Sequence, residues 1–303
     1  MKKEFNFLSS DGITDIYCAL WEVSEPKGII QIAYGISEYL DRYDEFAKFF
    51  NDLGYIVVGN DYIGHGKSIN PDKGKMYFGA DESYNYLIDD MYTLYKKVSG
   101  QYNNIPYYML GFSLGTFIAR CLCYRKDINI NGLILMGTSQ NSSFEIKLGK
   151  YMCNRELRTN NDKAVTKAIN DLAINSHNKK FKNTRTCMDW LCSNEEAIDS
   201  YLNDSMISKD YTIGIFRELL NSMEDAIKNI DLMKKDIRVL ILSGKNDPVG
   251  NFGKGVIKTY KAFKKCKFKD VQMKLYDSAR HDLFRERNNI EVYNDMLEFM
   301  KNI

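Results

Sequence analysis

The sequence lacks the features typical of membrane-spanning, secreted and nucleic-acid-binding proteins. No apolar run approaches the length that spans a bilayer. Lys2 and Lys3 are followed by polar residues before a secretory apolar segment could form. The 42 lysines and arginines nearly balance the 40 acidic residues, and the formal net charge of +2 gives no long-range field for nucleic acid. We therefore expect no nucleic-acid partner.

Cysteine and histidine are sparse and scattered. The seven cysteines form neither a CxxC pair nor a cluster with any of the three histidines. An odd number of dispersed cysteines is typical of reduced thiols in a cytoplasm, and the spacing indicates no structural metal. We therefore predict a cytoplasmic protein without a metal site.

Buried strands and amphipathic helices alternate along most of the chain, whose 303 residues suffice for one α/β domain with an insertion. Apolar runs predict strands at 15–21, 28–33, 55–59, 107–110, 132–137, 237–244 and 271–276. Apolar spacing predicts helices at 40–53, 83–98, 116–124, 255–263 and 290–300, and Gly100 is expected to end the second of them. This pattern is typical of a mostly parallel sheet with helices on both faces.

The alternation stops between residues 141 and 229. This stretch is polar, helix-like and rich in Lys, Asn and Asp, and it contains no convincing strand. Within this stretch, segments 186–191 and 211–216 are the ones that we expect to be packed against the rest of the protein. We therefore divide the chain into a core of residues 1–140 and 230–303 and a helical insertion of residues 141–229.

A Gly-x-Ser-x-Gly pentapeptide, Gly111-Phe112-Ser113-Leu114-Gly115, lies between a predicted strand and a predicted helix. This is the context of a nucleophile elbow, in which a strained turn holds the serine hydroxyl above the edge of the sheet. Glycine at both ends lets the strand and the helix approach closely. The alternative is a structural glycine-rich turn, such as one that binds a nucleotide.

A serine nucleophile needs a histidine as base and a carboxylate that orients the histidine. His65 precedes Ser113, and His177 follows no strand and is interpreted as a solvated surface side chain. His281 follows the last predicted strand, so its loop opens at the same sheet edge as the elbow. We therefore predict His281 as the base.

The acid is expected in the loop after the preceding strand, which contains Asp247. Pro248 keeps Asp247 out of helical geometry. Asp277 and Asp282 flank His281 in sequence, but a sequence neighbour on a loop cannot easily reach the far ring nitrogen. Asp247 is therefore preferred.

A negatively charged tetrahedral intermediate needs two backbone donors. One is expected to be the N–H of Leu114, at the start of the helix. The other is expected to be the N–H of Ile36, because Gly35 permits a turn after the second predicted strand. The alternative at Gly35 is an ordinary strand end.

With these motifs, the chain resembles the monoacylglycerol lipase/lysophospholipase branch of the α/β-hydrolase superfamily, which some group with the serine aminopeptidases. The motifs that carry the resemblance are at 31–39, 61–68, 111–115, 189–191, 246–250 and 279–282. The chain departs from the family pattern at Tyr34 and Tyr39, where a histidine is usual, and at Tyr62-Ile63, where His-Arg is common.

The resemblance implies an α/β-hydrolase fold: a mostly parallel eight-stranded sheet flanked by helices, with a helical cap inserted after the sixth strand. It also implies a serine esterase that hydrolyses small lipid-like carboxylic esters without a cofactor. A peptidase or thioesterase on the same scaffold is an alternative, and the altered Tyr34-Gly35 region leaves a non-catalytic ligand-binding protein as another. Transient membrane contact through the cap and the oligomeric state stay open.

Overall fold

The computed structural model describes residues 1–301 as an eight-stranded sheet with flanking helices. The strands lie side by side in the order β1-β2-β4-β3-β5-β6-β7-β8. The β1–β2 and β2–β4 pairs are antiparallel, and all other pairs are parallel. The strands are β1 (Lys2–Leu8), β2 (Asp15–Trp21), β3 (Gly28–Ala33), β4 (Tyr55–Asn60), β5 (Tyr107–Phe112), β6 (Gly132–Met136), β7 (Arg238–Gly244) and β8 (Val271–Tyr276). The predicted α/β-hydrolase sheet is confirmed.

Helices follow most of the strands. They are α1 (Asp44–Asp52), α2 (Tyr84–Gln101), α3 (Leu114–Leu122), α4 (Ser143–Glu156), α5 (Lys167–Asn170), α6 (Ser176–Asn178), α7 (Glu195–Asn203), α8 (Ile213–Lys228), α9 (Lys254–Lys265) and α10 (Asn289–Lys301). A 3₁₀ turn, Leu40–Tyr43, precedes α1, and a π-helical stretch, Asp171–Asn175, joins α5 to α6. The prediction that Gly100 ends the second helix is wrong, because α2 continues through it to Gln101.

The parallel strands bring distant parts of the chain to one edge of the sheet. Their residues are almost all buried in β3, β5, β6 and β7, which explains why these strands are continuous apolar runs. The register aligns Ala33 with Gly111, and Gly244 with Tyr276. The loops that follow β3, β5, β7 and β8 therefore open beside one another.

The segment between β6 and β7, residues 141–229, is called the inserted segment below. Apart from the isolated bridge between Val165 and Thr212, the elements of the inserted segment are helical. Capping stabilises the helix starts: the Ser142 hydroxyl accepts from the N–H of Glu145, and the Thr212 hydroxyl accepts from the N–H of Ile215. The division of the chain into a core and a cap at these boundaries stays a prediction.

The inserted segment packs on the sheet domain through its longest helix, α8, which contacts α2 and α3 and also packs on α4 of the inserted segment. The two segments expected to pack are buried through Trp190 and Ile213, among others. Within residues 1–301, none of the helices combines the length and the apolar character needed to cross a membrane.

Candidate active site

Ser113 lies in a strained turn between β5 and α3. Its backbone angles, φ 53° and ψ −118°, fall in a region that side-chain-bearing residues rarely occupy. A Cβ atom at Gly111 would collide with the backbone of Gly115, and one at Gly115 would collide with the carbonyl of Ala33. The two glycines therefore permit the close approach of strand and helix that holds the serine at the sheet edge.

The structure brings Ser113, His281 and Asp247 together. His281 Nε2 lies 3.0 Å from Ser113 Oγ, and His281 Nδ1 lies 3.0 Å from Asp247 Oδ2. Both distances are within hydrogen-bonding range. His281 is 2% exposed and Asp247 is fully buried. The three side chains predicted from the sequence thus form one continuous hydrogen-bonded chain.

Asp247 is also held by its own loop. Its Oδ1 accepts from the N–H of Val249 at 2.8 Å, and its Oδ2 accepts from the hydroxyl of Ser243 at 3.0 Å. Gly137, at φ 65°, provides the space for the imidazole, because a Cβ there would collide with the ring of His281. These contacts fix the orientation of the carboxylate and of the ring.

The buried pair shifts both pKa values in the direction that keeps it charged. Burial alone lowers the pKa of His281, but the negative charge and the hydrogen bond of Asp247 raise it above its ordinary value of 6.5. Burial alone raises the pKa of Asp247, but the charge and hydrogen bond of His281 lower it below 3.8. The carboxylate therefore stays ionised and stabilises an imidazolium.

The two neighbouring aspartates have other partners. Asp277 pairs with Lys245, and its side chain is 81% exposed. Asp282 accepts from the N–H of Phe284 at 3.1 Å, and its own N–H donates to Leu191 of the inserted segment at 2.7 Å. Burial, followed by the charge of Glu38, raises the pKa of Asp282 to about 6. Asp247 is the carboxylate that contacts the ring.

The two predicted backbone donors lie on the segments next to Ser113. Ile36 and Ser113 line the same small cavity, and Leu114 is the first residue of α3, where helix N–H groups have no partner within the helix. Among residues 1–301, neither N–H donates an intramolecular hydrogen bond. The assignment of these groups to an oxyanion stays a prediction.

The interpretation of His177 as a solvated surface side chain is wrong. The half-buried His177 ring contacts Trp190 in a tilted arrangement at a centroid distance of 4.7 Å, and Trp190 lies 5.4 Å from the ring of His281. Burial, followed by the nearby His281, lowers the pKa of His177 to about 4. A signal was present in the sequence, because Leu172, Ala173, Ser176 and His177 have the spacing of one helix face.

Two cavities lie next to the His177–Trp190 pair, and each is lined by one of the two residues. The smaller, about 30 Å³, is lined by Ser113, Ile36, Trp190 and His281, among others. The larger, about 520 Å³, lies beneath the inserted segment and includes His177 in its lining. Its polar lining residues include Glu145, Lys180 and Lys258. Its apolar lining residues are Ile146, Leu148, Leu172, Ala173, Phe216, Leu219, Leu220, Met223, Pro248 and Val249.

The described residues contain no group of three or more His, Cys, Asp or Glu side chains that could hold a metal ion.

Comparison with curated proteins finds lipases and a phospholipase. Human monoglyceride lipase is 24% identical over 275 residues, covering 89% of this chain and 81% of the relative. The monoglyceride lipase homolog of monkeypox virus is 21% identical over 277 residues, covering 91% of this chain and 90% of the relative. Phospholipase YtpA of Bacillus subtilis is 23% identical over 280 residues, covering 90% of this chain and 95% of the relative.

Solved structures share the fold over nearly the full length. A thermostable carboxyl esterase from Bacillus coagulans, solved with glycerol, has a TM-score of 0.89 at 23% identity and covers 100% of this chain and 98% of its own. A soluble variant of Saccharomyces cerevisiae monoglyceride lipase has a TM-score of 0.73 at 19% identity, and the match covers 98% of this chain and 94% of the lipase.

The family described as serine aminopeptidase, S33, matches residues 24–288, which include the elbow, the Asp247 loop and the His281 loop. The chain therefore belongs to the serine aminopeptidase S33 family of α/β-hydrolases, in its monoacylglycerol lipase/lysophospholipase branch.

Proposed function

We propose that the protein is a carboxylic ester hydrolase that cleaves lipid-like esters through an acyl-enzyme on Ser113. The observation that carries the proposal is the continuous chain from Ser113 Oγ to His281 to Asp247, with both links at 3.0 Å. A serine hydroxyl is a weak nucleophile at neutral pH, and this arrangement activates it.

Each step follows from the contacts of the three side chains. Ser113 Oγ attacks the ester carbonyl carbon while His281 Nε2 takes the hydroxyl proton. The tetrahedral intermediate then collapses, the bond between the carbonyl carbon and the alcohol oxygen breaks, and the alcohol leaves with the proton from His281. Water then attacks the carbonyl carbon of the acyl-enzyme while His281 takes a proton from it. The bond to Ser113 Oγ breaks, the carboxylic acid leaves, and His281 returns the proton to the hydroxyl of Ser113.

The backbone donors next to Ser113 account for stabilisation of the intermediate. In the proposed mechanism the N–H groups of Ile36 and Leu114 donate to the developing oxyanion. The N-terminal end of α3 adds a partial positive charge there. Because these donors belong to the backbone, replacing the usual family histidine with Tyr34 removes neither of them.

The larger cavity supports a lipid-like substrate. Its volume of about 520 Å³ and the aliphatic and aromatic residues that form part of its mixed lining suit an acyl chain. The names of the curated relatives, monoglyceride lipase and phospholipase, support the same substrate class. We therefore assign the acyl chain to this cavity and the ester group to the small cavity at Ser113.

The outer face of α4 supports transient contact with a membrane. Phe144, Leu148 and Tyr151 are 74%, 49% and 60% exposed and recur at the spacing of one helix face. Leu148 also lines the larger cavity, so the mouth of this cavity opens beside the apolar face. An enzyme that lies on a bilayer through this face could draw a lipid directly into the cavity.

Hydrolysis of p-nitrophenyl esters tests the reaction. We expect the purified protein to release p-nitrophenol and Ser113→Ala to lose at least about 10⁴-fold in kcat. Ser222→Ala is the control, because this buried serine lies in α8 and its hydroxyl donates to the carbonyl of Leu219. A folded wild-type protein without turnover would remove the proposal and leave a non-catalytic ligand-binding protein.

A second candidate is a peptidase, which the description of the matching family favours. The acyl chemistry at Ser113 is the same for an ester, an amide and a thioester, and only the leaving group differs. Rates on monoacylglycerol, lysophospholipid, aminoacyl anilide and acyl-CoA substrates should be measured side by side. The proposal requires the two lipid esters to give the highest kcat/KM.

A further inference from the structure

The loop after β4, residues 61–68, has no role in the chemistry described above. It carries His65 between two glycines, Gly64 and Gly66, whose positive φ angles of 74° and 51° turn the chain back toward β3. Because β3 and β4 are parallel neighbours, their following loops meet at the edge of the sheet beside Ser113. The 61–68 loop therefore lies against residues 34–36, which contain the proposed oxyanion donor Ile36.

Tyr62 and Tyr34 bind each other reciprocally. The N–H of Tyr62 donates to the hydroxyl oxygen of Tyr34 at 2.6 Å, and the hydroxyl of Tyr62 donates to the carbonyl oxygen of Tyr34 at 3.1 Å. The two rings lie 4.2 Å apart, and both residues are at least 99% buried. These are two of the positions at which the chain departs from its family, so the changes form one interacting pair.

The same carbonyl links the pair to the nucleophile elbow. The N–H of Gly115 donates to the carbonyl oxygen of Tyr34 at 3.1 Å. One oxygen atom thus accepts from both the elbow and Tyr62. A shift of this carbonyl would move the Ile36 peptide relative to Ser113.

His65 provides a second attachment. Its Nε2 lies 2.7 Å from the carbonyl oxygen of Ile36, and its Nδ1 lies 3.0 Å from that of Ile63. Burial lowers the pKa of His65, so the ring is neutral and carries one N–H. Because the contact with Ile36 is the shorter of the two, we place this N–H on Nε2, from which it donates to the carbonyl oxygen of Ile36.

Asp61 secures the loop that carries both attachments. Its carboxylate accepts from the N–H groups of Leu40 and Lys67, each at 2.7 Å, and from the hydroxyl of Tyr34 at 3.2 Å. The hydroxyl of Tyr34 is therefore occupied within the loop, and Tyr34 is not among the residues that line the small cavity at Ser113.

We propose that Tyr62 and His65 are positioning residues that hold the Ile36 peptide in place, so that its N–H is directed at the oxyanion before the substrate binds. This inference rests on the proposed function. Removing an entire oxyanion donor costs about 10²–10³ in kcat. Loss of one of several attachments should displace the donor only in part, so we expect a loss of about tenfold in kcat.

The test compares two Tyr→Phe variants that each remove one buried hydroxyl. Tyr62→Phe removes the hydroxyl that donates to Tyr34. Tyr108→Phe is the matched control, because the hydroxyl of Tyr108 also donates to a backbone carbonyl, that of Met300 at 2.8 Å, and the residue is 1% exposed. For p-nitrophenyl butyrate, Tyr62→Phe should lower kcat about tenfold and change KM less than about twofold.

An alkyl boronic acid, which forms a tetrahedral adduct with an active serine, provides the second measurement. Tyr62→Phe should weaken its inhibition in proportion to the loss in kcat, since both depend on the oxyanion donors. Tyr108→Phe should leave kcat and boronate inhibition at wild-type values, even where its melting temperature falls as much as that of Tyr62→Phe. His65→Gln, which can still donate from its amide, should retain more activity than His65→Leu.

The outcomes separate the two proposals. A wild-type protein without esterase activity would remove the proposed function, and this inference with it. An active wild type with Tyr62→Phe and Tyr108→Phe behaving alike would remove the inference alone. If Tyr62→Phe does not fold, the His65 variants provide the test. The inference is then overturned if wild type, His65→Gln and His65→Leu have the same kcat and the same boronate inhibition.

Discussion

The cavity at Ser113 and the cavity beneath the inserted segment differ in size and in lining. The first, about 30 Å³, holds roughly one water molecule and is lined by the groups that we assign to the reaction. The second, about 520 Å³, has a mixed lining, whose apolar residues come largely from α4, α8 and the residues around α6. The comparison leads us to propose two tasks: the loops of the sheet hold the reacting groups, and the inserted segment, which provides most of the apolar residues of the large cavity, selects the substrate.

We propose that His177 and Trp190, whose rings lie 4.7 Å apart, form the boundary between the cavities. Trp190 lines the small cavity, and His177 lines the large one. The indole N–H of Trp190 is buried without a hydrogen-bond partner among residues 1–301, a state that costs about 1–3 kcal/mol. A substrate whose ester lies at Ser113 and whose chain lies in the large cavity must displace these rings, and we expect Trp190 to gain an acceptor when they move.

Asp247→Asn should affect the chemistry alone. An amide at this position cannot hold the His281 tautomer that accepts the serine proton, so we expect kcat to fall about 10³–10⁴-fold. The ratio of kcat/KM for dodecanoyl and acetyl p-nitrophenyl esters should stay at the wild-type value. Asp277→Asn is the control, because this exposed aspartate is close to His281 in sequence but pairs with Lys245. A large change in the ratio would contradict the separation of tasks.

His177→Ala should affect chain selection alone. Removing this ring leaves only Trp190 between the cavities. A long acyl chain then has to displace one ring rather than two when it enters the large cavity. We expect the dodecanoyl-to-acetyl ratio of kcat/KM to rise about tenfold, with the acetyl ester nearly unchanged. Lys179→Ala, an exposed change two residues away, should leave the ratio unaltered. An equal loss for both esters would mean that His177 acts on the chemistry.

Phe144→Ser tests whether the large cavity receives its lipid from a membrane. Because this side chain is 74% exposed, the substitution should leave the melting temperature nearly unchanged. We expect hydrolysis of a monoacylglycerol embedded in vesicles to fall about fivefold, through loss of apolar contact with the bilayer. Hydrolysis of a dissolved short-chain ester should not change. Equal rates of wild type and variant on vesicles would remove the proposed membrane face.

The pH profile should be the same for short and long esters, because one base serves both. His281 acts only when it is neutral, and its pKa lies above 6.5. Activity should therefore fall as the pH drops through that raised pKa, and at pH 6.5 kcat/KM should be below about half of its plateau. In Asp247→Asn the midpoint should move to lower pH. A wild-type midpoint below 6.5 would contradict the assignment of His281.

The sheet and the proposed triad were predictable because their signals are local. Strands buried on both faces, such as β3 and β5, are short apolar runs whatever the rest of the chain does. Gly111 and Gly115 mark the elbow, and few histidines and loop aspartates were available to accompany Ser113. The edge strand β1 received no prediction, because its partly exposed residues include two lysines and a glutamate.

The contacts that depend on tertiary packing could not be predicted. Lys179 and Lys180 follow His177 in sequence, and its half-buried position follows from contact with Trp190, 13 residues later in the chain. Tyr34 was noticed as a departure from the family, but the destination of its hydroxyl depends on how the 61–68 loop folds against it. The spacing of Leu172, Ala173, Ser176 and His177 indicates a helix face but does not identify its neighbour, and no pattern in the sequence places the 61–68 loop against Tyr34.

Labelling with a fluorophosphonate probe, followed by peptide mapping, tests the central proposal most directly. The probe reacts with a serine only when a neighbouring base activates it. We predict one label per chain, on the peptide that contains Ser113, with no label on Ser113→Ala. A folded protein that hydrolyses esters while Ser113 stays unlabelled, or that carries the label on another residue, would contradict the account.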